Sequence, residues 1–371
     1  MPTEDDVHGS AAWRATHRDL SALDLKFRET AQVSPELLDR SQFGALEQKT
    51  ELLNYPLQSW PTFLGSGKLD ELKRVSVGMN RMVRKVPERI FRNDARKLAA
   101  FYGIGQAVAE VLFLPPTGAE TMFSRGDFID TAAGFKCIEF NFTAKLGGWD
   151  TTLITGLHLA VPATARFIAD AGIRVAFTDT MFEMFRHVVE DIRRKKIIRN
   201  GRFTIAFLFA PQEPPTTEQG LEYLNGELRR TLDLMGLDLE GRVINSTHEK
   251  LVPARDGMLL GNQRIDALVE LSGPAAPPRV YLLFKQGLVG LYNGPLSPIL
   301  SSKRNLALLS QHAGSFSPED QAFIEAHVPW TRLVAPGPVE YQGETHQLAG
   351  LLTSRPERFV LKDAASWGGK G

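Results

Sequence analysis

The apolar run RFTIAFLFA at 202–210 constrains the fold more than any other feature of the sequence. A run of this length is typical of a strand buried on both faces of a parallel sheet, and it is too short to cross a membrane. Thr217 then stands where a helix N-cap is expected. The leucines that recur on one face of the predicted helix are Leu221, Leu224, Leu228 and Leu232. Short strands are predicted to follow near 239–245, 265–270 and 280–283. This succession indicates an α/β unit rather than a helix bundle.

Residues 1–118 have mostly helical patterns. A Ser-Pro-Glu start signal at Ser34 predicts a helix over 34–54. The apolar residues of 92–113 also follow a helical spacing, which is interrupted at Gly103. We therefore expect a helical region ahead of the α/β unit.

The remaining predicted elements alternate between strands and helices. Two adjacent strands are expected over 124–130 and 135–142, and helices over 151–171 and 180–197. Later elements are a helix from Ser301 or Ser302 to about His312, a helix that starts at Ser317, and strands over 327–334 and 359–362.

Charge and cysteine content exclude several classes of protein. The 371 residues include 43 basic and 43 acidic side chains, so no global field recruits nucleic acid or an anionic membrane. The basic stretch Gly78–Arg92 is either a solvated face or a contact surface for an acidic substrate or partner. The single cysteine, Cys137, excludes an internal disulfide framework and fits a small buried hydrophobe better than a nucleophile. The opening MPTEDDVHGS is acidic and unlike a signal peptide, which predicts a cytoplasmic protein.

The two strands predicted over 124–130 and 135–142 carry a cluster of polar residues. Glu139 and Asn141 are two positions apart, so they point to the same face of their strand, and Arg125 shares a face with Asp127 in the same way. Hard oxygen donors on one sheet face suit magnesium, particularly where the metal also holds phosphate oxygens. An arginine beside them can bind phosphate or a developing oxyanion. An exposed hairpin with alternating charges is the alternative interpretation of the same spacing.

Two lysines and a glycine cluster follow later in the chain. Lys362 ends the predicted strand 359–362, and the GGKG at 368–371 can bring backbone N–H groups close to phosphate, although a flexible turn is also consistent with it. Lys303 falls in the first turn of a predicted helix, where the helix dipole disfavours a cation. This position indicates either a nearby anion or a lysine that extends into solvent.

Taken together, these motifs resemble a known family. Three features resemble the magnesium motif of ATP-grasp ligases, especially the glutathionylspermidine synthase-like branch: R-x-D-F at 125–128, the spacing of twelve positions from Asp127 to Glu139, and E-x-N at 139–141. The N-x-P at 293–295, the two lysines and GGKG resemble the nucleotide half of that fold. The E-x-N strand precedes the glycine loop, which is the circularly permuted order. The resemblance spans about 120–371 and leaves the first ~118 residues without a match.

The resemblance implies a role for each matching residue. Asp127, Glu139 and Asn141 would hold two magnesium ions, and Arg125 would stabilise the transition state that forms an acyl phosphate. The implied contacts to the nucleotide phosphates are Lys303, Lys362 and the loop glycines Gly368, Gly369 and Gly371. ATP and Mg²⁺ are the expected cofactors.

The expected fold is α/β (α+β) and ATP-grasp-like, with a permuted element order behind a mostly helical N-terminal region. The expected segments are a helical region at 1–118, the magnesium-motif strands and helices at 119–199, a substrate unit of the pre-ATP-grasp kind at 200–300, and an incomplete nucleotide-binding subdomain at 301–371. Because the sequence ends inside the glycine loop, we expect a truncated chain.

The expected activity is ATP-dependent ligation of a carboxylate, from a small molecule or a peptide, to an amine. Acyl phosphate formation followed by attack of the amine would give an amide or peptide bond. A non-catalytic scaffold of the ATP-grasp kind is the rival from another class of protein, and a phosphotransferase on the same fold is a third alternative. Neither nucleic acid nor a membrane is an expected partner.

Overall fold

The computed structural model describes residues 22–23, 26–27, 57, 60–113, 122–142, 148, 151–271 and 276–364. Within these residues the α-helices are α1 (Ser66–Arg89), α2 (Ala95–Tyr102), α3 (Gln106–Leu112), α4 (Thr151–Ala160), α5 (Pro162–Asp170), α6 (Thr180–Arg194), α7 (Glu218–Leu234), α8 (Pro278–Lys285), α9 (Ser297–Leu300), α10 (Arg304–Gln311), α11 (Pro318–His327) and α12 (Leu348–Ser354). The strands are β1 (Arg125–Thr131), β2 (Gly134–Asn141), β3 (Arg202–Leu208), β4 (Glu240–Ser246), β5 (Leu251–Ala254), β6 (Gly257–Leu260), β7 (Gln263–Ile265), β8 (Ala267–Glu270), β9 (Gly290–Tyr292), β10 (Pro338–Tyr341) and β11 (Glu344–Gln347). Helices and several separate sheets occur together, which is a mixed α/β structure of the α+β kind. The helix predicted over 34–54 lies outside the described residues.

The described chain forms two compact units that interleave along the sequence. The first unit takes the described residues within 1–70, 114–123 and 144–295, and the second takes those within 71–113, 124–143 and 296–371. Each unit therefore draws on more than one of the four segments expected from the sequence.

A four-stranded parallel sheet forms the centre of the first unit, with the strand order β4-β3-β8-β9. Ile205 of β3 pairs with Val243 of β4 on one side and with Ala267 of β8 on the other. Every residue of β3 after Arg202 is buried. This confirms the buried parallel strand predicted from the apolar run at 202–210.

The helix that follows β3 begins and packs as its sequence predicts. The Thr217 hydroxyl accepts a hydrogen bond from the N–H of Gly220 at 3.1 Å and caps α7. Three leucines on one face of α7 are buried in the same core as the sheet residues: Leu224, Leu228 and Leu232. Leu221 is partly buried against this core. A three-stranded antiparallel sheet, β5-β6-β7, lies between β4 and β8 in the chain.

The strand predicted over 280–283 is wrong, because these residues lie in α8. Pro277 is the N-cap of this helix and Pro278 is its first helical residue. A proline at this position already has the φ angle that a helix needs and lacks only an N–H that would have no partner there. Val280, Tyr281 and Phe284 are buried. The β-forming side chains Val280 and Tyr281 therefore pack from a helix, since tertiary burial overrides local propensity.

Two other predicted strands are also wrong. α11 continues to His327 and ends at Val328, which precedes Pro329 and is excluded from the helical conformation for that reason. The described residues 328–336 then form neither helix nor strand. Residues 359–362 likewise belong to no sheet of the described chain, and Val360 and Leu361 are exposed. An apolar run becomes a strand only where a partner strand lies alongside it.

In the second unit, α1 and α11 pack closely together. A Cβ atom added at Gly78 would lie 2.2 Å from the ring of Phe323, so glycine permits the close approach. The Nζ of Lys85 lies 2.5 Å from Oδ2 of Asp320, and an Arg81 nitrogen lies 3.6 Å from the other carboxylate oxygen. Part of the basic stretch Gly78–Arg92 is therefore paired within the unit.

Two other sequence signals are confirmed in this unit. Gly103 adopts φ +70° and its N–H donates to the carbonyl of Ala99, which ends α2 at the predicted interruption. Ser317 accepts a hydrogen bond from the N–H of Asp320, so α11 begins at the predicted cap with Pro318 as its first residue.

No single helix among the described residues is long and apolar enough to cross a bilayer. The pair α4 and α5, which is bent by 76°, reaches that length and composition only when both helices are counted together.

Candidate functional site

The predicted polar cluster lies on one face of an antiparallel hairpin made of β1 and β2. Arg125 pairs with Asn141, and Asp127 pairs with Glu139. Directly opposed residues of an antiparallel pair point to the same face, so all four side chains lie together. Arg125 Nε donates to Asp127 Oδ1 at 3.2 Å, and Asn141 Nδ2 donates to Glu139 Oε1 at 3.3 Å.

The hairpin contains a β-bulge at Ile138. Asp127 pairs with Glu139, whereas the next residue, Phe128, pairs with Cys137. Ile138 is therefore the extra residue, and its carbonyl oxygen accepts a hydrogen bond from Lys362 Nζ at 3.0 Å. β-Bulges are common beside functional sites, where they disrupt the ladder and redirect groups of the strand. Here the bulge provides an acceptor that brings Lys362 next to Glu139.

Both predicted phosphate-binding lysines lie near the same carboxylate oxygen. Lys303 Nζ is 3.9 Å from Glu139 Oε2, and Lys362 Nζ is 4.0 Å from it. The Glu139 side chain is only 23% exposed, so solvent weakens these interactions less than at an open surface. Lys303 occupies the N-cap position of α10. A carboxylate at 3.9 Å is the nearby anion that its unfavourable helix position indicated.

We use the name Glu139 site for the six described residues that the sequence singled out and the fold brings together: Arg125, Asp127, Glu139, Asn141, Lys303 and Lys362. All six belong to the second unit. The predicted loop glycines Gly368, Gly369 and Gly371 lie outside the described residues.

Two serines that were not predicted as site residues attach the end of β2 to the segment that carries Lys303. Ser301 Oγ accepts from the N–H of Phe142 at 3.1 Å and donates to the carbonyl of Phe142 at 2.9 Å. The Ser297 hydroxyl donates to the same carbonyl. Phe142 directly follows Asn141, and Ser301 is two residues before Lys303. The sequence suggested Ser301 or Ser302 as a helix cap, and Ser301 instead bonds the strand.

A buried asparagine, Asn305, also holds the segment that carries Lys303 in place. Asn305 Nδ2 donates to the carbonyls of Ile299 and Leu300 at 2.8 and 2.9 Å, and its Oδ1 accepts from the hydroxyl of Tyr102 at 2.5 Å. Burial raises the pKa of Tyr102, which keeps this hydroxyl protonated as a donor. No local signal revealed this network, because Tyr102 comes from a distant part of the chain.

Cys137 lies beside the bulge and is fully buried. Its Sγ is 3.4 Å from the carbonyl oxygen of Glu139. Burial raises the pKa of the Cys137 thiol to about 12. Because the thiolate is the nucleophilic form, a thiol with this pKa is a poor nucleophile at neutral pH. The structure thus agrees with the predicted role of Cys137 as a small buried hydrophobe.

The oxygen donors of the Glu139 site fit the chemistry of magnesium. Two carboxylates and one amide oxygen, on paired strands, are the hard ligands that this ion takes, usually together with phosphate oxygens and water. Within the described chain no three His, Cys, Asp or Glu side chains form a metal-binding group. A magnesium site at Glu139 would therefore depend on Asn141 and on oxygen atoms of a bound phosphate. Arg125, Lys303 and Lys362 supply the positive charge that such a phosphate requires.

Comparison with known proteins does not assign this chain to a family. No protein-family model matches the chain. No curated protein matches it either. The resemblance to ATP-grasp ligases stays a prediction that rests on the motifs of the Glu139 site.

Proposed function

We propose that this protein is a ligase that uses ATP and magnesium to join a carboxylate to an amine through an acyl phosphate. The observation that carries the proposal is the convergence at Glu139. Two lysines from distant parts of the chain place their ammonium groups 3.9 and 4.0 Å from one carboxylate oxygen, beside Asp127 on the paired strand. An exposed hairpin with alternating charges would not require either lysine.

Each residue of the Glu139 site has a chemical role in this proposal. Magnesium held by Asp127, Glu139 and Asn141 would neutralise charge on the transferring phosphoryl group and orient its oxygens. Lys303 and Lys362 bind the nucleotide phosphates. Arg125 stabilises the negative charge on the phosphoryl oxygens in the transition state.

The reaction consists of two displacements. An oxygen of the substrate carboxylate attacks the γ-phosphorus of ATP, the bond from that phosphorus to the ADP oxygen breaks, and ADP leaves. The amine then attacks the acyl carbon, phosphate leaves, and the amine nitrogen loses a proton to solvent. The protein's main contribution is to position the groups and exclude water, because the acyl phosphate is already activated.

Trapping of the acyl phosphate with hydroxylamine tests this proposal. The protein is incubated with ATP, Mg²⁺, hydroxylamine and a panel of amino acids and short peptides that supply free carboxylates. We expect ADP, phosphate and an acyl hydroxamate in equal amounts. AMP and pyrophosphate would show adenylation instead and would contradict the mechanism. A stable phosphorylated product would favour the phosphotransferase, and no nucleotide turnover across the panel would favour the scaffold.

Glu139→Gln is the variant that ties the activity to this site. Loss of the charged ligand is expected to lower hydroxamate formation by about two orders of magnitude or more. Asp130→Asn is the matched control, because Asp130 lies on the same strand as Asp127 but at an odd spacing from it, on the opposite face. The hydroxamate assay should show unchanged turnover in the control. Equal turnover in Glu139→Gln and the wild type would remove Glu139 from the mechanism.

A further inference from the structure

In the Glu139 site each carboxylate already interacts with cations of the protein. Asp127 accepts from Arg125 at 3.2 Å, and Glu139 Oε2 lies within 4.0 Å of both Lys303 and Lys362. Among the six described residues of the Glu139 site, three cations therefore accompany two carboxylates. These cations repel a free divalent cation and attract a polyphosphate.

The two lysines lie near Oε2 of Glu139, an oxygen that a bound metal could also use. Lys362 is held there by its hydrogen bond to the carbonyl of Ile138 at the bulge. The side chain of Lys303 is 17% exposed, so solvent weakens its attraction to Glu139 less than at an open surface. Glu139 Oε1 in turn accepts from Asn141. A metal ion that binds Oε2 would therefore compete with both ammonium groups for the negative charge of Glu139.

We propose that Lys303 and Lys362 form a lysine latch, which occupies Glu139 until nucleotide phosphates draw the two ammonium groups away. Magnesium would then bind strongly only together with the nucleotide, since phosphate gives the displaced lysines a new anionic partner. This inference rests on the proposed function, because it assumes that the Glu139 site binds a metal–nucleotide complex. It adds the order of binding and the competition between lysine and metal for one oxygen atom.

The lysine latch makes predictions of opposite sign for the metal alone and for the metal with nucleotide. Lys362→Met keeps most of the aliphatic length and removes the charge. We expect this variant to bind Mn²⁺ alone about tenfold more tightly than the wild type, because the competing cation is gone. The same variant should bind Mn²⁺ with a non-hydrolysable ATP analogue about tenfold more weakly, because a phosphate contact is lost. Free Mn²⁺ is measured by electron paramagnetic resonance, with and without the analogue.

Lys136→Met is the matched control for the change in net charge. Lys136 lies on β2, the strand that carries Glu139, but its Nζ donates to the carbonyl of Ala326. It should leave both affinities within a factor of two of the wild type. Circular dichroism checks that Lys362→Met is folded. If it is not, Lys303→Met provides a second variant with the same two expected shifts in affinity.

The possible results distinguish the latch from the proposed function. Wild-type protein that binds neither Mn²⁺ nor the Mn²⁺–analogue complex would overturn the proposed function itself. Tight binding of the complex, together with no gain in Mn²⁺ affinity in either lysine variant, would overturn the latch alone. A loss of both affinities in the variants would also overturn it, since the lysines would then support the site rather than compete with the metal. Opposite shifts in a variant, absent from the control, would support it.

Discussion

At the scale of the residue, Ser301 connects two chemically different parts of the candidate site. Its hydroxyl bonds both the N–H and the carbonyl of Phe142, which follows the metal-ligand candidate Asn141. Lys303 is two residues further along the chain from this serine. The distance between the lysine and Glu139 therefore depends on hydrogen bonds that neither residue makes itself.

We expect Ser301→Ala to weaken binding of a magnesium–nucleotide complex, because two of the three hydrogen bonds that join the Lys303 segment to Phe142 are lost and only the bond from Ser297 is kept. Loss of the hydroxyl should also lower the free energy of unfolding by about 1 kcal/mol. Ser302→Ala is the control, since among the described residues that hydroxyl takes part in one long hydrogen bond, which it accepts from the N–H of Arg304 at 3.4 Å. Calorimetric titration and urea unfolding measure the two effects. Equal nucleotide affinity in the two variants would show that Ser301 has no positioning role.

At the scale of the element, α1 and α11 are joined through Asp320 in the first turn of α11. Burial alone would raise the pKa of Asp320, but the hydrogen bonds from Lys85 and Ser317 and the charges of Lys85 and Arg81 hold the pKa below its ordinary value. A lowered pKa means that the carboxylate is more stable in the folded protein than in the unfolded chain. Its contribution to stability is complete above the unfolded pKa and is lost as the pH falls through the folded pKa.

Asp320→Asn is expected to lower the free energy of unfolding by about 1–3 kcal/mol at pH 7. The difference from the wild type should shrink below roughly pH 4, where Asp320 of the unfolded chain begins to take up a proton while the folded carboxylate, with its lower pKa, stays ionised. Urea unfolding between pH 7 and pH 2 measures this dependence. The matched control is Glu319→Gln, because the neighbouring Glu319 side chain is 84% exposed and its loss should have little effect. A difference between Asp320→Asn and the wild type that stays constant with pH would contradict the ion-pair explanation.

At the scale of the whole molecule, the stability of the first unit depends on its central strand. β3 lies between β4 and β8, and Phe207 is fully buried within it. The Phe207 side chain packs in the hydrophobic core on one face of the sheet, so its removal leaves a cavity that the close-packed neighbours cannot easily fill.

We expect Phe207→Ala to destabilise the first unit by about 3–5 kcal/mol. Amide hydrogen exchange should become faster in β3 and β8, and mass spectrometry of their peptides measures this. Val252→Ala is a control from the same unit, since Val252 is 57% exposed on β5 and should change exchange little. Unchanged protection of β3 in Phe207→Ala would show that the sheet does not depend on this core position.

The sequence alone determined the features that depend on a few neighbouring residues. Such features are the helix caps at Thr217 and Ser317, the helix end at Gly103 and the buried strand after Arg202. The caps follow from a nearby hydrogen bond, the helix end from the backbone conformation of glycine, and the strand from a short hydrophobic pattern. The same reasoning placed Glu139 and Asn141 on one face, because the side chains of a strand alternate.

Only the tertiary structure decided what those residues contact. Three features of the Glu139 site depend on how distant segments pack. They are the register that pairs Asp127 with Glu139, the bulge at Ile138, and the approach of Lys303 and Lys362 to one oxygen atom. The run at 280–283 became a helix for a related reason, since two prolines and the burial of one face outweighed its β-forming side chains. Local patterns select conformations that cost little, whereas packing selects among them by the apolar surface and polar groups that each arrangement buries.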